Sequence, residues 1–464
     1  MRPLMLSQIA LWCEGRLLGD DVEITGIGTD TRTLARGGLF VALRGERVDG
    51  HDLAEAATAA GAAALLVTRP VDTDLPQVQC ADTQEALGEI AANLQHGRPA
   101  VVVALTGSNG KTTVKTLLHG ILRRAGRTTV NPGNRNNEIG LPLAVIDAPE
   151  DAQFAIYEMG AGKHGDIAYL TAIAPPQVAL VNNIMPAHVE RMGNLLGIAE
   201  TKGAIYEALP DDGVAVVNAD DAFAPYFLQR IATRRVLRFG IEHPADVRAS
   251  QIRSEGEGMR FVLHCPAGQA EVALPLPGRH NVMNALAAAA LALGAGAGFD
   301  DIVAGLNAAE PVPGRQIPHR LQSGALLIDD SYNANPGSVA AAIASLGEAL
   351  RTQGGQAWLV LGDMKELGRD ERILHSQIGA LAKTSGIARL FVLGALSVET
   401  AKAFGDAAKH YSDHDALLAE LLPALAEAGD DLRCLVKGSR SSAMERIVAA
   451  VLAAQAMEEG GDAA

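Results

Sequence analysis

The chain has 464 residues, 48% hydrophobic and 20% charged, with a formal net charge of −15. That length predicts about three domains, each large enough to bury its own core. The acidic balance excludes a general nucleic-acid binder, because a polyanion would be repelled. Four scattered cysteines, Cys13, Cys80, Cys265 and Cys434, form no C-x-x-C pair and read as reduced thiols. The most apolar run, 285–297, falls short of the ~20 residues of a membrane span and is broken by glycine. The patch after Arg2 is interrupted by Ser7, Gln8 and Glu14, so no signal peptide is expected. These features predict a cytoplasmic protein without membrane insertion.

Residues 1–97 read as a first, smaller α/β unit. Residues 24–32 look like a strand ending in Asp30, Thr31 and Arg32; Gly37 and Gly38 then turn the chain into a second strand at 39–43. With Arg44 and His51, these strand-end residues read equally as an anion or sugar site and as a solvated rim. Gln95 to Pro99 is expected to be a polar linker.

The second unit, 98–314, opens on Val101-Val-Val-Ala-Leu105 and then Thr106, Gly107, Ser108, Asn109, Gly110, Lys111, Thr112, Thr113. Buried strand, glycine-rich turn, Lys-Thr and amphipathic helix form the phosphate-loop arrangement. Loop amides and the helix N-terminus hold phosphate oxygens, Lys111 reaches the β/γ-phosphates, and the Thr112 hydroxyl can ligate Mg²⁺. The loop is shorter than the usual G-x-x-x-x-G-K-[ST] spacing. An amide-dense stretch follows, with Asn134, Asn136, Asn137 and Glu138. Glu158 ends an apolar strand, where an open sheet places its ligands; it reads as a Mg²⁺ ligand or as the cap of a following helix. His188 and the helical Lys202 carry no functional claim from their residue types alone. Residues 236–273 suggest a small antiparallel patch. Asn281 is a good helix N-cap, and the Asn284 carboxamide complements an adenine edge. Glu310-Pro-Val-Pro-Gly314-Arg315 reads as a second linker that lets Arg315 swing toward a phosphate.

The third unit, 315–464, alternates strands at 325–330, 357–361, 389–393 and 432–436 with helices. That is the pattern of a parallel, doubly wound, Rossmann-like sheet. The strands end in polar clusters that include Asp330, Asn333 and Asn335, then Asp363, then Lys437, and these are expected to line one face. The tail after Gln455 is expected to fray.

Together the motifs resemble the Mur ligases, ATP-dependent amide-forming enzymes of peptidoglycan precursor synthesis. The resemblance spans nearly the whole chain: T-G-S-N-G-K-T-T at 106–113, N-x-N-N-E-I-G-x-P from Asn134, E-M-G-A at 158–161 and G-R-H-N-x-x-N at 278–284. D-D-S-Y-N-A-N-P at 329–336, G-D-M-x-E-L-G at 362–368 and K-G-S-R at 437–440 are similar to the branch that adds a dipeptide. The D-Y-A-H and D-N-P-R motifs of the branch adding a third amino acid are absent from the sequence. Asp166 stands where the family pattern has glutamate.

The resemblance implies an α/β fold of three domains and a reaction joining UDP-muramoyl tripeptide to D-alanyl-D-alanine through an acyl phosphate. It implies ATP held by residues 106–113 with Asn281, Asn284, Arg315 and Asp330. The UDP substrate falls to Asp30, Thr31, Arg32, Arg44, His51, Asn136, Asn137 and Glu138, and the dipeptide to Asn333, Asn335, Asp363 and Lys437. One Mg²⁺ is expected on Thr112 and Glu158, and a second on His188 and a carbamylated Lys202, with Lys111 and Arg315 also catalytic. A monomer is expected, with the last domain closing about 311–315. Two other readings remain: another ligase of this fold, such as a folate polyglutamate synthase, which would lack the first domain, and a nucleotide-dependent binding module.

Overall fold

Three α/β units follow one another along the computed structural model, which describes residues 1–45, 47–186 and 189–461. The first carries a five-stranded sheet in the order Arg16–Leu18, Gln77–Gln79, Ala64–Val67, Gly38–Val41, Gly26–Gly28. The Arg16–Leu18/Gln77–Gln79 pair is antiparallel and the others are parallel.

The second unit is built on a nine-stranded sheet. Val101–Thr106 lies inside it, between Phe154–Glu158 and Val178–Val181, all in parallel register. Its side chains alternate, as a strand covered on both faces requires. Val103 and Leu105 join the core of the helices Lys111–Ala125 and Arg279–Gly294; Val102 and Ala104 face the opposite core. The expected antiparallel patch is not separate. Val247–Glu255 pairs in parallel with Arg235–Gly240, and the strands Gly258–Cys265 and Gly268–Leu274 then add antiparallel, so the meander prolongs the main sheet.

The core under Val102 and Ala104 also takes Leu87, Ile90 and Leu94 from helix Thr83–His96 of the first unit. Asp82 starts that helix by accepting from Gln84 N and Glu85 N. The stretch expected to be a polar linker is therefore packed. Gln95 and Arg98 are buried; the Gln95 carboxamide accepts from Tyr157 Oη at 3.0 Å, and Arg98 Nη2 donates to Glu150 at 2.8 Å. The first two units are joined by a continuous apolar core.

The third unit has a six-stranded sheet ordered Ile317–Arg320, Leu326–Asp330, Leu432–Lys437, Gln356–Gly362, Arg389–Leu393, Ala408–Tyr411. It is parallel except for its first pair. Its two core clusters draw only on residues from Leu321 onward. Thus this unit has its own interior and is tied to the rest by a turn in which Gly314 and Gln316 both have positive φ (70° and 55°). The last helix, Glu445–Gly461, runs on through the expected frayed tail, and Gln455 bonds Gln322 at 2.7 and 2.8 Å.

Candidate active site

The phosphate loop is shaped by close approaches that require glycine. A Cβ on Gly107 (φ +148°) would lie 3.0 Å from Asn182 Cβ, and one on Gly110 (φ +78°) would lie 2.4 Å from Asn284 Oδ1. Asn109 N donates to Asn183 Oδ1 at 2.8 Å, and Asn109 O accepts from Asn182 Nδ2 at 2.9 Å and Asn183 Nδ2 at 3.1 Å. Ser108 Oγ bonds both N and O of Met185 at 2.9 Å. Lys111 curls into the loop, donating to Gly107 O at 2.8 Å and Ser108 O at 3.3 Å. Burial holds its pKa below the usual lysine range; Glu158 opposes that shift and Arg315 adds to it. Thr106 Oγ1, behind the loop, is buried without a partner among the described residues.

Around Glu158, 3% exposed, the elements converge. Thr112 Oγ1 donates to Glu158 Oε2 at 3.0 Å and accepts from Arg315 Nη2, of the third unit's leading turn, at 3.0 Å. Asn136 Nδ2 donates to Glu158 Oε1 at 2.9 Å. Lys115, one helical turn after Lys111, places Nζ 3.3 Å from Oε2 and donates to Asn131 O and Gly133 O at 3.0 and 2.9 Å. Burial pushes the Glu158 carboxyl up, but Lys115, Lys111, the Asn136 amide and Arg315 outweigh it and hold the pKa below normal. Glu158 caps no helix. Helix Asp166–Ile173 starts after Gly165, and it is Asp166 Oδ2 that accepts from Gly162 N and Lys163 N. A hydroxyl and an ionised carboxylate at the mouth of a phosphate loop are hard oxygen donors, and they fit Mg²⁺.

Lys202 is 1% exposed, on helix Leu195–Glu207. Burial and then the Lys111 charge push its pKa well below the ordinary lysine value, against a smaller pull from Asp166. A neutral amine is the form that can react with CO₂. His188 lies outside the described residues.

Asn281 is not the N-cap expected of it. Helix Arg279–Gly294 begins two residues earlier, after Gly278 at φ +86°, and Asn281 Nδ2 donates back to Pro277 O at 2.7 Å. Its Oδ1 accepts from Asn284 Nδ2 at 3.1 Å, and Asn284 Oδ1 accepts from Asn182 Nδ2 at 3.3 Å. A relay of carboxamides therefore joins this helix to the phosphate loop. Arg315 stacks on the Tyr332 ring, 4.6 Å from its centroid, and Tyr332 N donates to Gly314 O at 3.1 Å. Tyr332 and Lys115 were not singled out from the sequence; no spacing rule marks either. Lys437 Nζ pairs with buried Asp330 at 2.7 Å and donates to Asn333 O at 2.9 Å. Burial raises the Asp330 pKa against the pull of Lys437. His280, beside them, is pushed down to about 4 by burial and by Lys437, so it is neutral near pH 7.

Most of these groups share one cavity of about 1100 Å³, lined by residues 108–113, Asn136, Asn137, Glu138, Glu158, Asn281, Asn284, Arg315, Asp330, Asn333, Asn335 and Lys437, among others; Thr106, Lys115 and Lys202 are not among its lining residues. Apolar Ile241, Leu276 and Met283 contribute to its wall. Asp363 is not among the lining residues. Its Oδ1 accepts from Leu396 N, Ser397 N and Ser397 Oγ at 3.1, 2.8 and 2.5 Å, and its Oδ2 meets Lys365 at 3.3 Å, so it anchors its own loop and the start of helix Ser397–Phe404. Asp30, Thr31, Arg32, Arg44 and His51 also stand away from this cavity. Arg32 pairs with Asp30 at 2.6 Å. His51 is buried; Nε2 accepts from Thr68 N at 2.9 Å, which leaves Nδ1–H to donate to Asp49 Oδ1 at 2.6 Å. Both ring nitrogens are spent inside the first unit, so the expectation that His51 touches substrate is replaced by a structural role.

Family models match three segments: the Mur ligase family catalytic domain at residues 23–95, the Mur ligase middle domain at 105–292, and the Mur ligase, glutamate ligase domain at 314–440. The UDP-N-acetylmuramoyl-tripeptide–D-alanyl-D-alanine ligase of Escherichia coli (strain K12) is 44% identical over 97% of this chain and 99% of its own. Among solved structures, MurF from Acinetobacter baumannii superposes with a TM-score of 0.91 at 32% identity, covering 97% of this chain and 99% of that one. The MurF ligase from Thermotoga maritima in complex with ADP gives a TM-score of 0.82 at 27% identity, covering 92% of this chain and 96% of that one.

Proposed function

The chain belongs to the Mur ligase family, and we propose that it joins D-alanyl-D-alanine to UDP-N-acetylmuramoyl tripeptide, with ATP cleaved to ADP and phosphate. The observation that carries this reading is Thr112. Its hydroxyl donates to the Glu158 carboxylate and accepts from Arg315 of the third unit, at 3.0 Å each, at the mouth of the phosphate loop. The phosphate loop, two hard oxygen donors and the third unit's cation thus converge on one point.

A carboxylate is a poor acyl donor until one oxygen becomes part of a leaving group. The γ-phosphoryl of ATP passes to the tripeptide's terminal carboxylate, with ADP leaving. The free amine of the dipeptide attacks the acyl carbon, and the tetrahedral intermediate expels phosphate, which carries away one original carboxylate oxygen. Loop amides and Lys111 hold the triphosphate, and Arg315, kept in place by the Tyr332 ring, bears on the transferring group. Thr112 and Glu158 would hold a Mg²⁺, which neutralises phosphate charge. A carbamate on Lys202 would turn a buried amine into an anionic oxygen donor for a second ion, a role in which the family resemblance also places His188.

Residues 1–97 take the uridine nucleotide, through Asp30, Thr31, Arg32 and Arg44. Residues 98–314 take ATP, with Asn136, Asn137 and Glu138 directed to the acceptor, and residues 315–464 take the dipeptide, near Asn333 and Lys437. The enzyme is a cytoplasmic monomer. The test uses tripeptide labelled with ¹⁸O in its terminal carboxylate. Label in the released phosphate is expected; unlabelled phosphate would overturn the acyl-phosphate route.

A further inference from the structure

Asn335 sits where the third unit meets the phosphate loop. It is the N-cap of helix Pro336–Gln353: its Oδ1 accepts from Ser338 N at 2.9 Å, and its N donates to Ser338 Oγ at 3.1 Å. That box occupies the carbonyl half of the carboxamide. The amino half, Nδ2, donates to Asn109 Oδ1 at 2.7 Å, across the boundary between units. Asn109 is fixed within its own unit through its backbone N and O, which leaves its side chain for this contact. Gly337, two residues after Asn335, allows the close seating. A Cβ on Gly337 would lie 3.1 Å from Asn109 Nδ2 and 2.5 Å from Met185 Sδ. The third unit has a separate core, so polar contacts such as this one and Arg315–Thr112 have to set how it sits over the loop.

We propose that Asn335 is a positioning residue that acts through Asn109 on the phosphate loop, and not a ligand of the dipeptide. The amide pair aligns the third unit so that the dipeptide amine meets the activated carboxylate held beside the loop. The proposal rests on the ligase reading. ATP binding in the central unit does not require the pair; the productive alignment does.

Two single variants and their combination test it. Asn335→Ser keeps a good helix cap but is too short to reach Asn109. Asn109→Ala removes the partner and keeps the backbone bonds. Each is expected to lower kcat about three- to tenfold, the worth of one hydrogen bond, with KM for ATP within about twofold. The double variant should be no slower than the slower single, because both remove the same contact. Multiplied losses would overturn the proposal. So would a loss confined to KM for D-alanyl-D-alanine in Asn335→Ser with Asn109→Ala silent, which would make Asn335 a ligand. If Asn335→Ser folds poorly, Asn335→Thr keeps a capping oxygen, is likewise too short to reach Asn109, and is read the same way. Wild-type turnover that requires both substrates is the control: its absence would fail the ligase reading, whereas its presence with multiplied losses would fail only this proposal.

Discussion

Lys202→Met separates what the buried amine does to stability from what it does for the reaction. Lys202 is 1% exposed, and burial, followed by the nearby Lys111 charge, disfavours its charged form. Burying a polar group that prefers water costs about 1–3 kcal/mol in mutational data. Methionine is of similar length and carries no such penalty, so the variant should unfold later. At about 2–4 °C per kcal/mol for a domain of this size, the midpoint should rise by about 2–12 °C. The pH dependence follows from the direction of the shift. The folded-state pKa is lowered, mainly by burial and then by Lys111, so the unfolded chain binds a proton that the folded chain resists. The wild type is therefore disfavoured below the unfolded pKa of about 10.4 and recovers as pH rises toward it. The assay is thermal unfolding of both proteins in CO₂-depleted buffer at pH 7 and 9.5. The methionine variant should lead at pH 7, lead by less at pH 9.5, and turn over at least about 100-fold more slowly. A variant less stable than wild type at pH 7, or one with near-normal turnover, would refute the reasoning.

Lys111→Ala should reduce turnover by at least about 100-fold while far-ultraviolet circular dichroism stays unchanged; near-normal turnover would remove Lys111 from the phosphate site. Lys115→Met strands the Asn131 and Gly133 carbonyls and takes from Glu158 its nearest cation. By analogy with broken buried pairs it should cost about 3–5 kcal/mol in urea unfolding, and a loss under about 1 kcal/mol would contradict the tie. His51→Ala deprives Thr68 N of its acceptor. Exchange of that amide should accelerate about tenfold or more, the worth of one buried bond, and unchanged protection would contradict the structural role of His51.

What the sequence shows well is whatever is local. The strand at 101–106, its glycine turn and the Lys-Thr helix are contiguous, and each residue's role follows from its neighbours, so the phosphate loop was legible at once. The strand-end rule likewise found Glu158, Asp330 and Lys437. Among the short strands that escaped are Thr128–Val130, Ile317–Arg320 and Ala408–Tyr411. All three lie at sheet edges and are only partly buried, so they lack the continuous apolar run of an inner parallel strand. The N-cap reading of Asn281 and the substrate-facing readings of Asp363 and His51 differ from the structure for another reason. The partners of these residues lie up to 34 residues away, and a carboxylate or imidazole facing substrate looks the same in sequence as one spent on a distant amide. Lys115 was passed over because its partners, Glu158 and the Asn131–Gly133 carbonyls, meet it only in the folded chain.

The most direct test of the central claim is ADP release by the purified protein with Mg²⁺-ATP, with UDP-muramoyl tripeptide and D-alanyl-D-alanine omitted one at a time. The account predicts sustained release, beyond one ADP per enzyme, only when both are present, with a product whose mass is their sum less one water. ADP release that continues undiminished without the dipeptide would contradict it.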